Sequence, residues 1–269
     1  MHPQNLNIPG NRRILLVEDV EMNQLLASKK IESWGVRVDI AQNGKVAVQM
    51  IQDGVYDLVL MDIQMPEMDG LEATRHIRNL QDSNKASVPI VALTANLLTG
   101  DGDRYIAAGM NGFLLKPFDD QNLFHIISAN LKNGNMTGQG LIEDNAAPAV
   151  FNGAPSQKLY DLSMVESIAG GDENFVKKMV QIFLDTMPAS VEQLQKELNK
   201  QNWDSLSKLA HKMKSTIDSM GITSLKDVIR AIEANAKHKH ELEGLGECVD
   251  KVSEVLGRCI QQLKRDFSL

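Results

Sequence analysis

Between residues 13 and 131 short apolar runs alternate with longer stretches whose apolar positions recur every three to four residues. The runs lie at 13–17, 36–41, 58–62, 90–93 and 112–115; the third ends in Asp62, and Glu18, Thr94 and Lys116 directly follow the first, fourth and fifth. They predict five strands. Helical spacing between them predicts helices over about 21–33, 45–52, 71–80, 104–108 and 119–131. The run at 36–41 alternates, with Val36, Val38 and Ile40 apolar, and belongs near a sheet edge. The run 58–61 is unbroken, as in a parallel strand buried on both faces. Five such repeats imply an α/β fold, a doubly wound five-stranded parallel sheet with helices on both faces.

Over 133–158 the periodicity vanishes, and Gly134, Gly138, Gly140, Pro148, Gly153 and Pro155 stand among small and polar residues. This is the composition of a flexible tether, and its 26 residues would span roughly 28 Å root-mean-square. From 159 onward the pattern is helical throughout and predicts an all-α helix bundle. Ser163 and Glu166 have the spacing of a capping box. Phe183, Met187, Val191, Leu194 and Leu198 keep helical spacing straight through Pro188, predicting one long helix kinked there. Three segments follow: a first domain over 12–132, a linker over 133–158 and a second domain over 159–269.

With 43% hydrophobic and 23% charged residues, the chain has the make-up of a globular protein. A net charge of −7 and the lack of any long basic run argue against nucleic acid as a partner. No apolar stretch approaches the ~20 residues that span a bilayer, and the first residues lack a charged segment followed by an apolar one. The expectation is a cytoplasmic protein without membrane insertion. Cys248 and Cys259 fall about three turns apart in one predicted helix, too far to bond, and are expected to be reduced.

The polar residues that close the runs change the picture. Glu18-Asp19, Asp62, Thr94 and Lys116 each end a different predicted strand, and in a parallel sheet those ends share the edge where α/β folds bind ligands. Three carboxylates in one cleft repel unless a cation neutralises them. An all-oxygen site with open positions suits magnesium, which keeps some waters and shares its shell with a phosphoryl group. Phosphoryl transfer needs a positioned nucleophile, a metal and counter-charges. Asp62 fits the nucleophile, Asp19 a direct ligand, and Lys116 and Thr94 the partners of the phosphoryl oxygens.

These residues sit in Val-Glu-Asp (17–19), Met-Asp-Ile-Gln-Met-Pro-Glu-Met-Asp-Gly (61–70), Ala-Leu-Thr-Ala (92–95) and Leu-Leu-Lys-Pro-Phe (114–118). In that order and spacing the segment 12–132 resembles the response-regulator receiver domain. The resemblance implies a flavodoxin-like sheet in the order 2-1-3-4-5 and phosphorylation of Asp62. It implies magnesium on Asp19, Asp62 and the main-chain carbonyl of Gln64, with Glu18 acting through water. It also implies a switch made of Thr94 and Phe113, and a cis bond between Lys116 and Pro117.

The helix predicted over 203–220 has an apolar stripe of Leu206, Leu209, Ala210, Met213, Ile217 and Met220. His211 lies off that stripe. One turn away on either side stand Ser207, Lys208, Lys214 and Ser215, which predicts an imidazole in solvent between two ammonium groups, kept neutral and nucleophilic. Ala-His-Lys-Met-Lys-Ser-Thr (210–216) and Met220-Gly221, with Leu-Ser-Met (162–164), Gly-Gly-Asp-Glu (170–173) and Phe-Leu-x-x-x-Pro (183–188), resemble the histidine-phosphotransfer (HPt) domain. The resemblance makes His211 a phospho-carrier, with Lys208, Lys214 and Ser215 supporting the phosphate. His76, His125, His238 and His240 have no partners in motif spacing.

The sequence thus reads as a two-component phosphorelay protein, arranged like the C-terminal part of hybrid sensor kinases. Its partners would be a sensor histidine kinase and a downstream receiver or response regulator. No Gly-rich nucleotide-binding stretch occurs in the chain, so the reading is a relay intermediate, not an enzyme, with the kinase in trans or in a missing segment. Two rivals are a phosphorylation-independent scaffold, against which Asp62, Asp19, Lys116 and His211 argue, and an aspartate-nucleophile phosphatase, which needs an acid where Gln64 stands.

Overall fold

The computed structural model describes residues 7–94, 101–116, 118, 120–132 and 158–269. Pro117 and nearly all of the expected tether lie outside the described residues, and with them the expected cis bond. The chain divides into two compact units, Met1–Pro148 and Ala149–Leu269.

In the first unit, strands β1 (Arg13–Val17), β2 (Arg37–Ala41), β3 (Leu58–Asp62), β4 (Ile90–Thr94) and β5 (Gly112–Leu115) form one parallel sheet in the order β2-β1-β3-β4-β5. This is the order the receiver resemblance implied. All five residues of β3 and of β4 are buried, whereas β2, at the edge, is mostly part-exposed. Helices α1 (Glu21–Glu32), α2 (Gly44–Asp53), α3 (Gly70–Arg78), α4 (Ser83–Ala86), α5 (Asp101–Ala107) and α6 (Asp120–Lys132) fill the connections.

Side chains alternate across the sheet. Leu15, Val17, Val59, Met61, Ile90 and Ala92 face a core shared with Ala47, Ile51, Ala73 and Ile77 of α2 and α3. Ile14, Leu16, Leu58, Leu60, Val91 and Leu93 face Ile31, Leu123 and Ile127 of α1 and α6. A strand buried by helices on both faces is apolar along its length, which is why the run 58–61 showed no alternation, whereas the edge strand β2 did.

Two details depart from the sequence reading. The four-residue α4 was not expected; Asp82 caps it, accepting from the amides of Asn84 and Lys85. Ile8, which lies ahead of the first predicted strand and outside the predicted first domain, is buried and donates its amide to the Trp34 carbonyl at 2.9 Å.

Register brings the strand ends level: Val17 lies opposite Met61, Asp62 opposite Leu93, and Thr94 opposite Leu115. The loop after Asp62 then folds back tightly. A Cβ on Gly70 would come within 2.2 Å of the Asp62 carbonyl oxygen, so no other residue can open α3 here.

The second unit contains α7 (Ser163–Ala169), α8 (Glu173–Asn199), α9 (Trp203–Ser219), α10 (Lys226–His238) and α11 (Leu245–Phe267). Helix α9 packs on α8 and α10, and α11 packs on the same two, giving a four-helix bundle with α7 against α8. Phe183, Met213, Ile217, Ile229, Val252 and Cys259 are among its buried core residues. Helix α8 passes Pro188 as one element. The expected capping box is absent: α7 has no side-chain cap at Leu162, and Asp161 instead accepts from the amide of Ser163 at 2.9 Å. Gly221, with φ 61°, ends the turn after α9, and a Cβ there would come within 2.4 Å of the Asp161 carbonyl oxygen. Among the described residues no helix is long and apolar enough to cross a membrane.

Candidate functional site

The receiver-like unit gathers its polar strand-end residues at the carboxyl edge of the sheet. Carboxylate oxygens of Glu18, Asp19 and Asp62 lie within 4.8 Å of one another. Lys116, at the end of β5, donates to Glu18 Oε2 at 2.5 Å and to Asp62 Oδ2 at 2.7 Å. The Gln64 amide donates to Asp62 Oδ1 at 3.2 Å. Glu18 Oε1 accepts from the side chain of Asn23 at 3.0 Å and from the Val20 amide at 3.2 Å.

Electrostatics follow from that crowding. Burial pushes the Glu18 carboxyl above its ordinary value; Lys116 opposes this and neighbouring Asp62 adds to it. For Lys116, burial alone would lower the ammonium pKa, but the Asp62 and Glu18 carboxylates outweigh it and hold the group charged. Among the described residues Lys116 bridges two of the three clustered carboxylates, and a second cation would relieve the excess negative charge. The donor set is all oxygen, which fits a hard divalent ion such as magnesium.

Thr94 ends β4 and is buried; its hydroxyl accepts from the Tyr105 phenol at 3.2 Å. Phe113 on β5 meets the ring of Tyr105 edge-on. Tyr105, which sequence reasoning passed over, thus touches both expected switch residues.

In the helical unit the surroundings of His211 differ from those expected. Its side chain is only 17% exposed, and Nδ1 lies 2.6 Å from Glu233 Oε1. The other carboxylate oxygen of Glu233 accepts from Lys214 Nζ at 2.6 Å. Lys214 is 8% exposed and shares with His211 the Glu233 carboxylate between them. Lys208 is exposed and pairs with Asp204 at 2.7 Å. The pair of flanking ammonium groups in solvent is thus replaced by a half-buried histidine, carboxylate and ammonium. Ser215 donates back to the Lys212 carbonyl at 3.0 Å, and Ser207 to the Glu233 carbonyl at 2.9 Å.

Glu233 is the residue the sequence reading missed. Burial would raise its pKa, but hydrogen bonds and charge from His211 and Lys214 more than reverse that and take it to about 2. A carboxylate at this oxygen holds the proton of a neutral imidazole on Nδ1 and leaves the Nε2 lone pair for chemistry. One signal was available: Glu233 is four residues after buried Ile229 and three before buried Ala236, on the face α10 buries.

Residues 14–128 match the response regulator receiver domain, and residues 178–266 match the Hpt domain. Over 254 residues the chain is 30% identical to the aerobic respiration control sensor protein ArcB of Escherichia coli (strain K12), covering 93% of this chain and 31% of that protein. It is 27% identical over 250 residues to the signal transduction histidine-protein kinase BarA of the same organism, covering 91% and 27%. The chain thus spans less than a third of the length of these curated relatives. Among solved structures, the receiver domain of the sensor histidine kinase PA1611 from Pseudomonas aeruginosa PAO1, with a magnesium ion coordinated in its active site cleft, is 40% identical. It covers 46% of this chain and 100% of that one, with a TM-score of 0.43.

Proposed function

The chain joins a response regulator receiver domain to an Hpt domain, the pairing of a two-component phosphorelay, and from that premise we propose that Asp62 and His211 are its two phosphoryl carriers. The observation that carries this reading is the convergence of Glu18, Asp19 and Asp62 within 4.8 Å, with Lys116 bridging two of them.

A phosphohistidine of a sensor histidine kinase or of another relay protein supplies the group. Its P–N bond breaks as an Asp62 carboxylate oxygen bonds to phosphorus, and the donor imidazole keeps the electron pair. Lys116 follows the incoming charge onto a phosphoryl oxygen and Thr94 donates its hydroxyl to another, so positioned charges do most of the work. Glu18, Asp19, Asp62 and the Gln64 carbonyl would hold magnesium, which would supply positive charge to offset the carboxylates and the phosphoryl oxygens.

At the second station Nε2 of His211 attacks phosphorus, the bond to the donor carboxylate breaks, and the Nδ1 proton stays against Glu233. The imidazole becomes cationic in the process, and the Glu233 carboxylate offsets that charge. Lys214 and Ser215 lie one turn on from His211 and support the phosphate; Lys208 draws the partner receiver. The whole chain acts in the cytoplasm as a relay intermediate, with a downstream receiver or response regulator as the final acceptor. Its functional domains occupy 12–132 and 159–269, joined by 133–158.

The test is labelling of the receiver from a small phosphodonor. Wild type forms a base-labile acyl phosphate only with magnesium, and Asp62→Ala or Asp19→Ala abolishes it. Full labelling of Asp62→Ala would overturn the assignment.

A further inference from the structure

Tyr105 has a role that the phosphorelay reading does not yet use. Its side chain sits in the core with the residue 4% exposed, and its ring meets Phe113 with centroids 6.1 Å apart and planes at 62°. A phenylalanine would supply that packing equally well. The hydroxyl is what the core must satisfy, because a buried phenol is costly without a partner. Here it donates to Thr94 Oγ1 at 3.2 Å, in a buried setting.

That bond is long for two hydroxyls, which normally meet at about 2.7–2.8 Å, and it is therefore weak. A phosphoryl oxygen on Asp62 is a charged acceptor, and bonds to such acceptors are roughly twice as strong as neutral ones. Thr94 accepts from Tyr105 and would donate to the phosphoryl oxygen, so the two bonds compete through position alone: a shift of Oγ1 towards Asp62 stretches a bond already 3.2 Å long. One aromatic ring also joins the hydroxyl of Thr94 to the ring of Phe113, so any shift of Thr94 is felt on β5 through a single side chain.

We infer that Tyr105 is a positioning residue of the receiver: its phenol restrains the Thr94 hydroxyl in the unphosphorylated chain, and it couples release of that hydroxyl to Phe113. The inference rests on the reading of Asp62 as the phosphoryl acceptor. It goes beyond that reading by naming the contact that a shift of Thr94 towards the phosphoryl group must stretch.

The experiment measures affinity of the full chain for beryllofluoride, a stable mimic of an acyl phosphate, with magnesium present. Tyr105→Phe removes one oxygen and keeps the ring. A neutral hydrogen bond contributes about 0.5–1.5 kcal/mol, so its removal should tighten binding by roughly 2- to 12-fold. In a Thr94→Val background the same change should have no effect, because a coupled pair is non-additive. Ultraviolet difference spectra give a second readout: binding should perturb a tyrosine in wild type and not in Tyr105→Phe, which leaves Tyr56 and Tyr160. That signal stands even where Thr94→Val fails to fold.

Unchanged affinity in Tyr105→Phe, or an equal gain in the Thr94→Val background, overturns the inference while wild-type binding preserves the Asp62 reading. Failure of wild type to bind beryllofluoride at all overturns both.

Discussion

Replacing Glu233 by alanine removes the acceptor that His211 Nδ1 and Lys214 Nζ both meet at 2.6 Å. Two effects follow, and they separate. The first is on stability. Glu233 falls from an ordinary 4.5 to about 2, which corresponds to about 3.4 kcal/mol of stabilisation at most, and to less once solvent screening of a part-exposed group is allowed for. Because the folded value lies below the unfolded one, that stability is complete above pH 4.5 and is lost as pH falls through about 2. The variant should therefore unfold more easily than wild type at pH 7, by about 2–3 kcal/mol, with the gap closing towards pH 2. The second effect is on rate. A hydrogen bond to a charged group is worth about 1.5–3 kcal/mol. Losing roughly 1.4 kcal/mol of it in the transition state slows phosphorylation of His211 about tenfold. Glu233→Gln separates the two, since its amide oxygen still accepts from Nδ1 while Lys214 loses its charge partner. It keeps the bond to Nδ1 but not the charge that offsets the imidazolium, so its rate should fall between those of wild type and Glu233→Ala while it shares the instability. The assay is rapid-quench transfer from a phosphorylated receiver, with denaturant unfolding measured alongside. Wild-type rates in Glu233→Ala, with stability lowered as described, would show that Glu233 merely anchors Lys214.

Lys116→Ala should leave Glu18 and Asp62 facing each other without their shared cation and destabilise the receiver at neutral pH by about 3–5 kcal/mol. Burial already raises Glu18, so loss of Lys116 raises it further. That penalty therefore exists above the ordinary carboxylate range and fades as pH falls; thermal unfolding against pH and magnesium checks both the sign and the expected rescue by the ion. Cys259 is fully buried, and burial pushes its thiol up to about 12, whereas Cys248 is part-exposed. A thiol reagent at pH 8 should therefore titrate one equivalent on the native chain and two after unfolding. Lys208→Glu should slow His211 phosphorylation with little loss of stability, because the side chain is 73% exposed and such substitutions usually shift stability by no more than about 0.5 kcal/mol. Lys214→Glu, expected from the sequence to be equally mild, should instead unfold the bundle, since it sets a second carboxylate against Glu233; circular dichroism distinguishes the two.

The sheet was legible because strands buried on both faces leave uninterrupted apolar runs, and the ligand edge was legible because each run stops at a polar residue. Asp62, Asp19, Lys116 and Thr94 could be assembled from chain order alone, since parallel topology forces their strand ends together. The surroundings of His211 could not. The apolar stripe of α9 identified the face that packs through hydrocarbon, but α9 is covered by both α8 and α10, and part of its second buried surface is Ser207 and Lys214. Periodicity cannot distinguish a lysine folded under a neighbouring helix from one in water. Glu233 lies 22 residues from His211, beyond any local spacing rule, and only packing of α10 brings it in. Tyr105 read as a core aromatic, which it is; its hydroxyl acquires meaning only from the Thr94 side chain one strand away. Helix α4 is four residues long, too short for a period to register.

The central claim, that Asp62 and His211 are the chain's two phosphoryl carriers, together with the expectation that the tether over 133–158 lets one pass the group to the other, is tested most directly by loading the full chain from acetyl phosphate and magnesium, removing the donor, and following both sites in quenched samples. Acyl phosphate is lost in base and phosphohistidine in acid, so each is counted separately. The account predicts that phosphate disappears from Asp62 as it appears on His211, at a rate independent of protein concentration, and that Asp62→Ala never acquires label at His211. Phosphohistidine forming equally in Asp62→Ala, or Asp62 discharging only to water while His211 stays empty, would contradict it.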